Sequence, residues 1–292
     1  MTHPKHPRRL AEWFGFPIEV RSPEAKHCRQ AYCCPFVSGN PRCIKRTRLL
    51  PHPFGVCSVE FSPHGILALC PHRFLEGHRV FRDIAQHSFG TLDNLLLFTE
   101  VRAPGRSVLG RFDYILAQHA PLSNEILDFV LIEFQAAQTT STGALVHAVR
   151  DYLEGNFNDA SRGHYNFGIN WADIWKRSLI QALLKGMAAK AWHSALYWVV
   201  QTPVYDNLAH RYGLPTAKQG TSLATMHKTI RFALYDLQRE GEAIHLVGPR
   251  WLAFSVDDLF DALRYQIHLP AREDMLSHLQ SLLRNPTLSL KW

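Results

Sequence analysis

The sequence predicts an α/β fold, a central mixed sheet flanked by helices, and three observations predict it. Residues 126 to 135 (ILDFVLIEFQ) are almost continuously apolar, as a strand buried on both faces must be. Residues 171 to 198 carry Ile174, Trp175, Leu179, Leu183, Met187, Ala191 and Ala195 at helical spacing, the stripe of a long helix packed on a core. The six cysteines, Cys28, Cys33, Cys34, Cys43, Cys57 and Cys70, all fall in the first quarter of the 292 residues, which sets that stretch apart.

Taken in order, residues 1 to 80 read as a loop-rich lobe, with short strands near 56 to 61 and 66 to 69. A core follows over 81 to 220. It begins with a helix from about 82, then strands over 95 to 101, 106 to 117 and 126 to 135. A polar turn over 138 to 143 leads into a helix marked by Leu145, Val146, Val149 and Leu153. The long helix comes next, with Trp175, Trp192 and Trp198 expected as buried anchors. Residues 221 to 292 read as an extension of helix, hairpin and helix. Gly248-Pro249-Arg250 is the expected turn between strands 243 to 247 and 251 to 255, and Ser255 the N-cap of the last helix.

The strand at 126 to 135 ends in chemistry. Glu133 and Gln135 are two residues apart and so share a face, while Phe134 turns the other way with Val130 and Ile132. Two polar groups on a strand that is otherwise to be buried are costly without a partner. Asp113, on the preceding strand, supplies a second carboxylate. A divalent cation between Asp113 and Glu133 would be that partner, because hard oxygen ligands suit Mg²⁺, which keeps waters for hydrolysis. Phosphodiester hydrolysis is the expected reaction, with Gln135 orienting the attacking water. Gln135 is uncharged and brings no cation, so the metal is expected to carry that load.

The cysteines have two readings. Clustered thiols in a chain without a secretory leader read as metal ligands before disulfides, yet the spacings lack paired CxxC knuckles. A four-cysteine site and a set of buried free thiols both remain open on spacing alone. The same region is basic: residues 1 to 82 hold thirteen Lys and Arg against five Asp and Glu, a local excess of eight where the whole chain has seven. That excess suits phosphate contacts and makes DNA the expected partner, with Arg42, Lys45, Arg46, Thr140, Lys176 and Arg177 as candidate contacts. No basic concentration marks the C-terminal extension, which is read as a buttress.

Trp13-Phe14-Gly15, Cys34-Pro35-Phe36, Cys43-Ile44-Lys45, Gly55-Val56-Cys57, Cys70-Pro71-His72-Arg73, Phe112-Asp113-Tyr114, Glu133-Phe134-Gln135 and Trp175-Lys176-Arg177 follow one another in an order that resembles the NotI-type restriction endonucleases. The resemblance covers roughly residues 10 to 205, with a looser echo over 256 to 261. It implies a PD-(D/E)xK nuclease core and a homodimer acting on a GC-rich palindrome in a bacterial cytoplasm. It also implies a structural iron site on Cys34, Cys43, Cys57 and Cys70. Zinc is equally compatible with four thiolates. Cys28 and Cys33 have no counterpart and are read as spare thiols. The family's catalytic set falls on Asp113, Glu133 and Gln135, with a further upstream acid at Glu100.

No Gly-rich phosphate loop or Ser-nucleophile motif is present, so nucleotide use and acyl transfer have no support. No apolar stretch reaches the roughly 18 residues of a membrane helix. Two other readings compete with a restriction enzyme: a non-enzymatic DNA-binding protein with a degenerate nuclease core, and a repair or recombination nuclease.

Overall fold

A computed structural model describes residues 8–104, 108–123, 125–156, 165–215, 228–265 and 271–282. The strands are β1 (Arg8–Trp13), β2 (Phe16–Pro17), β3 (Val56–Phe61), β4 (Ile66–Ala68), β5 (Leu95–Arg102), β6 (Arg111–His119), β7 (Ile126–Gln135), β8 (Leu196–Gln201), β9 (Ile230–Glu240) and β10 (Ala243–Phe254). The helices are α1 (Pro23–Ala31), α2 (Arg79–Phe89), α3 (Thr142–Leu153), α4 (Trp171–Ala191), α5 (Thr202–Tyr212), α6 (Val256–Tyr265) and α7 (Arg272–Leu282), with a 3-10 segment at Pro71–His78. All ten strands belong to one mixed sheet of order β2-β1-β3-β4-β9-β8-β7-β6-β5, with β10 on β9.

β5, β6 and β7 form an antiparallel meander, and β7, β8 and β9 run parallel. A parallel pair cannot be joined by a hairpin, and the chain between β7 and β8 accordingly crosses over through α3 and α4. Both faces are covered at the centre of the sheet, while β5 at its edge is mostly exposed. On one, Leu131, Trp198, Val200 and Phe232 pack on Val149 of α3, Ile174 and Trp175 of α4, Leu208 of α5 and Leu259 of α6. On the other, Val130, Ile132, Val199 and Tyr235 pack on Phe74 and on Val80, Phe81 and Ile84 of α2. This double burial covers Val130, Leu131, Ile132 and Glu133, whereas Ile126 and Leu127 at the start of β7 are 43% and 56% exposed, so the apolar run is only half buried.

The first eighty residues are joined to the same sheet. β1 pairs with β3, β3 with β4, and Ile66 of β4 meets Leu237 of β9. Gln201, buried at the end of β8, accepts from the Ala68 amide at 2.5 Å and donates to the Ile66 carbonyl at 2.8 Å. β9, from the stretch expected as an extension, lies inside the sheet between β10 and β8.

Several local expectations change. The long helix ends at Ala191, not near 198: Trp192 is its C-cap, His193 turns the chain at φ 53°, and Trp198 is buried on β8. Its buried stripe runs through Ile174, Ser178, Ala182, Lys185 and Ala189, so Met187 is 51% exposed. The hairpin reverses at Gly241 (φ 60°), between β9 and β10, and Gly248-Pro249 is instead an irregularity inside β10, where the pairing shifts between Val247 and Arg250. Proline has no N–H to give the ladder, so it is tolerated at such a break. Ser255 caps α6 as expected: its hydroxyl accepts from the Asp258 amide at 3.0 Å while Asp258 accepts from the Ser255 amide at 2.7 Å. The helix expected to start near 221 lies outside the described residues.

Cys28 and Cys33, expected as spare thiols, form a disulfide. Tyr32 ends α1 in the left-handed conformation, and the Cys33 amide bonds back to the Cys28 carbonyl at 3.0 Å, which returns one cysteine to the other.

Candidate active site

The pairing of Tyr114 with Ile132 sets Asp113 of β6 across from Glu133 of β7. The Asp113 amide donates to Glu133 Oε1 at 3.4 Å, and Asp113 Oδ2 accepts from the Phe134 amide at 2.9 Å. Phe134 points to the opposite face, where it packs on Phe74, Phe81 and Tyr114. That stacking fixes the strand beneath the two acids.

Glu133 is 4% exposed. Burial pushes its carboxyl up to about 7, the Asp113 charge pushes the same way, and Lys185 pulls back. Burial likewise raises Asp113, against the Phe134 amide and Lys185. Two carboxylates drawn together out of water are the arrangement a cation relieves.

Lys185 was not anticipated. It projects from α4 with 3% exposure, and its Nζ stands 2.6 Å from Glu133 Oε1 and donates to the Arg111 carbonyl at 2.6 Å. Its signal in the sequence is its spacing: three residues after Ala182, seven after Ser178 and eleven after Ile174, all one helical face. Ser178 on that face donates to Gln135 Oε1, while Gln135 Nε2 donates to the Ala136 carbonyl at 2.8 Å. Thus α4 grips both polar groups at the end of β7.

Glu100 lies on β5 opposite Asp113, because Thr99 pairs with Tyr114 and Val101 with Phe112. It adopts a left-handed φ of 53° in mid-strand, is exposed, and pairs with Arg111 at 3.4 Å. A non-glycine residue in that conformation inside a strand is a local strain of the kind found at functional sites.

The four remaining cysteines are free thiols. Burial raises Cys34 to about 11 and also raises Cys57 and Cys70, and charges on neighbouring thiols add to each shift. The two Cys-Pro segments are built alike: Cys34 receives backbone amides from Phe36 and Val37, and Cys70 from His72 and Arg73. Cys57 receives the Gly15 amide. Gly15 holds φ 82°, and a Cβ there would come within 2.1 Å of Pro35 Cγ, so this loop admits no side chain. Amides aimed at sulfur favour thiolate, and thiolate is the metal-binding form. Among the described residues no group of three or more His, Cys, Asp or Glu side chains is gathered closely enough to hold a metal ion.

The candidate DNA contacts divide. Arg42, Arg46, Thr140, Lys176 and Arg177 are exposed, with Arg42 over the Tyr32 ring at 5.6 Å and Arg177 paired to Asp173 at 3.7 Å. Lys45 turns inward, donating to the Leu69 carbonyl at 2.8 Å among Cys43, Cys57 and Cys70, so its ammonium faces sulfur. A concavity of about 340 Å³ joins Lys45 and Arg46 to Gln138 and Thr139, the turn just past β7. Another, of about 410 Å³, lies at the far end of β7 and is lined by none of the expected site residues.

No helix among the described residues is long and apolar enough to cross a membrane. A family model described as Restriction endonuclease NotI matches residues 19–226. No curated protein matches the chain significantly.

Proposed function

The chain belongs to the NotI restriction endonuclease family, and from that premise we propose that it is a type II enzyme with a PD-(D/E)xK core, hydrolysing double-stranded DNA in a Mg²⁺-dependent, sequence-specific reaction. The observation that carries this reading is the apposition of Asp113 and Glu133 across β6 and β7, with Gln135 anchored two residues on.

Asp113 and Glu133 would hold the ion, with Glu100 as a third carboxylate at the exposed edge. Bound there, Mg²⁺ would supply Lewis-acid polarisation and make the attacking water more acidic. Gln135 orients that water by hydrogen bonding. The water oxygen bonds to phosphorus as one bridging P–O bond breaks in line with it, the water giving up a proton to solvent and the leaving oxygen taking one up. The positive first eighty residues and the exposed Arg42, Arg46, Thr140, Lys176 and Arg177 offer the phosphate and base contacts.

Cys34, Cys43, Cys57 and Cys70 would hold a structural iron or zinc. Four thiolates fill a tetrahedral shell and leave no place for substrate. The paired amides on Cys34 and Cys70 support this assignment. Cleavage of both strands at a palindrome, GC-rich by resemblance, calls for a twofold dimer. A bacterial cytoplasm is the setting that fits such an enzyme.

Digestion of phage-length DNA by the purified protein tests the reading, beside an EDTA control and Glu133→Ala. Discrete fragments that vanish in both controls support it. Well-folded protein that never cuts, or Glu133→Ala cutting at the wild-type rate, overturns it. Metal analysis of Cys34→Ser tests the cysteine site, which predicts loss of bound metal.

A further inference from the structure

The residue two after Glu133 is Gln135, and it brings no charge to the site. The buried ammonium of Lys185 does. Two of the buried polar side chains among the described residues, Glu133 and Lys185, meet here, and a third, Ser178, bonds Gln135 two residues on from Glu133. Ser178 and Lys185 come from the same face of α4.

A buried ion pair is a poor source of stability, since an apolar pair of the same volume serves as well without desolvating two charges. The pair at Lys185 and Glu133 therefore asks for another reason. Its geometry gives one. A lysine ammonium has three N–H donors. Two are directed at Glu133 Oε1 and the Arg111 carbonyl, both at 2.6 Å, which aims the head group at the carboxylate end of β7. Its position is fixed from behind: a Cβ on the adjacent Gly186 would stand 2.5 Å from Ile230 Cδ1, so α4 is pressed against the sheet at this turn. Phe112 lies under the ammonium at 5.2 Å.

We propose that Lys185 supplies from α4 the cation that Gln135 does not supply from β7, its third N–H meeting a non-bridging oxygen of the attacked phosphate. The inference rests on the nuclease reading above. In the reaction the phosphate gains negative charge in a site shielded from water, where a fixed donor is worth most and has no reorganisation to undergo. Lys185 also holds Glu133 in place, and the two roles separate experimentally.

The experiment compares wild type with Lys185→Met, Lys185→Arg and Lys185→Gln in single-turnover cleavage with Mg²⁺. Mn²⁺ affinity is measured by calorimetry without DNA, DNA affinity in Ca²⁺, and folding by thermal melting. Lys185→Met is expected to cut roughly 100-fold more slowly or worse, the loss typical of removing one such donor, while Mn²⁺ and DNA bind as well as to wild type. Lys185→Arg is expected to recover a substantial part of the rate. Lys185→Gln keeps an amide donor toward Glu133 and covers the case where the methionine variant does not fold; it is expected to be as slow.

Cleavage by a folded Met or Gln variant near the wild-type rate overturns the proposal. So does loss of Mn²⁺ binding in parallel with cleavage, which would make Lys185 a support for Glu133 only. Wild type cutting, with Glu133→Ala inert and Lys185→Met active, would sink this inference and leave the nuclease reading standing. Wild type that does not cut would sink the nuclease reading itself.

Discussion

Arg73 and Glu12 meet at 2.9 Å with each side chain 1% exposed. Arg73 lies three residues past Cys70, and its other nitrogens reach Glu76 at 2.7 Å and the Ile244 carbonyl of β10 at 2.6 Å. Glu12 on β1 also accepts from Ser58 of β3 at 2.6 Å. One guanidinium thus ties the cysteine region to β1 and β10 of the sheet. Removing one member of a buried pair strands the other, at a cost of about 3–5 kcal/mol. Arg73→Met is expected to lose that much in urea denaturation, and Arg73→Met with Glu12→Leu to regain a large part. A single variant within about 1 kcal/mol of wild type would show that water reaches the pair.

Gln201 makes the second connection. Its amide closes on Ala68 and Ile66, and the Ala68 carbonyl in turn accepts from the Ala137 amide at 2.8 Å, two residues past Gln135. Gln201→Leu leaves the buried Ala68 N–H and the part-buried Ile66 C=O without this partner, at about 1–3 kcal/mol for the first and less for the second. Hydrogen exchange at the Ala68 amide should speed up in this variant before that of the β9 amides. Unchanged protection at Ala68 would mean that β4 is held by its pairing with β3 alone.

The elements around the acids were legible because each has its own pattern. The second half of β7 is buried on both faces within an apolar run, and strand periodicity alone gives Glu133 and Gln135 one face. The end of α4 was hidden because β8 (Leu196–Gln201), a fully buried strand, continues the apolar content without a period that separates strand from helix. Gly248-Pro249 drew the hairpin turn to itself, though the chain reverses at Gly241, a glycine among polar residues. Lys185 escaped notice for an electrostatic reason. A lysine on an apolar helix face normally marks the solvent boundary, and only the sheet packed beneath shows that a carboxylate awaits it. The Cys28–Cys33 bond depends on the left-handed turn at Tyr32, which cysteine spacing does not reveal.

His87 gives a pH dependence whose sign is fixed. Its ring stacks on Trp251 at 4.2 Å and its Nδ1 lies 2.7 Å from the Tyr197 hydroxyl, which Ser88 and Arg231 also bond. Burial lowers the imidazole below its ordinary 6.5, and the Arg231 charge adds to the shift. The folded protein therefore holds this proton less tightly than the unfolded chain. The stabilising contribution is complete above the unfolded pKa and drains away as pH falls through the interval down to the folded one. His87→Phe keeps the stacked ring and removes the proton site, so its melting temperature should fall less than that of wild type between about pH 7 and pH 5. Parallel curves for the two proteins would assign the acid sensitivity elsewhere.

Ser178 is the least conspicuous member of the site and the easiest to separate from its folding. Its hydroxyl lies between Gln135 Oε1 and the Ile174 carbonyl, 2.7 Å away, and its single proton serves one acceptor at a time. The helix loses nothing if the hydroxyl goes, because serine in a helix interior competes with the backbone ladder. Gln135 loses the contact that sets its carbonyl oxygen, leaving only the bond from Nε2 to Ala136. Misplacing a group that positions a reactant by about an ångström costs up to about 100-fold in rate. Ser178→Ala is therefore expected to melt like wild type and to bind DNA equally in Ca²⁺, while cutting about tenfold to a hundredfold more slowly with Mg²⁺. Ser178→Thr retains the hydroxyl and should cut faster than the alanine variant. A fully active Ser178→Ala would show that Gln135 finds its place from the substrate side, and that α4 contributes to the site through Lys185 alone.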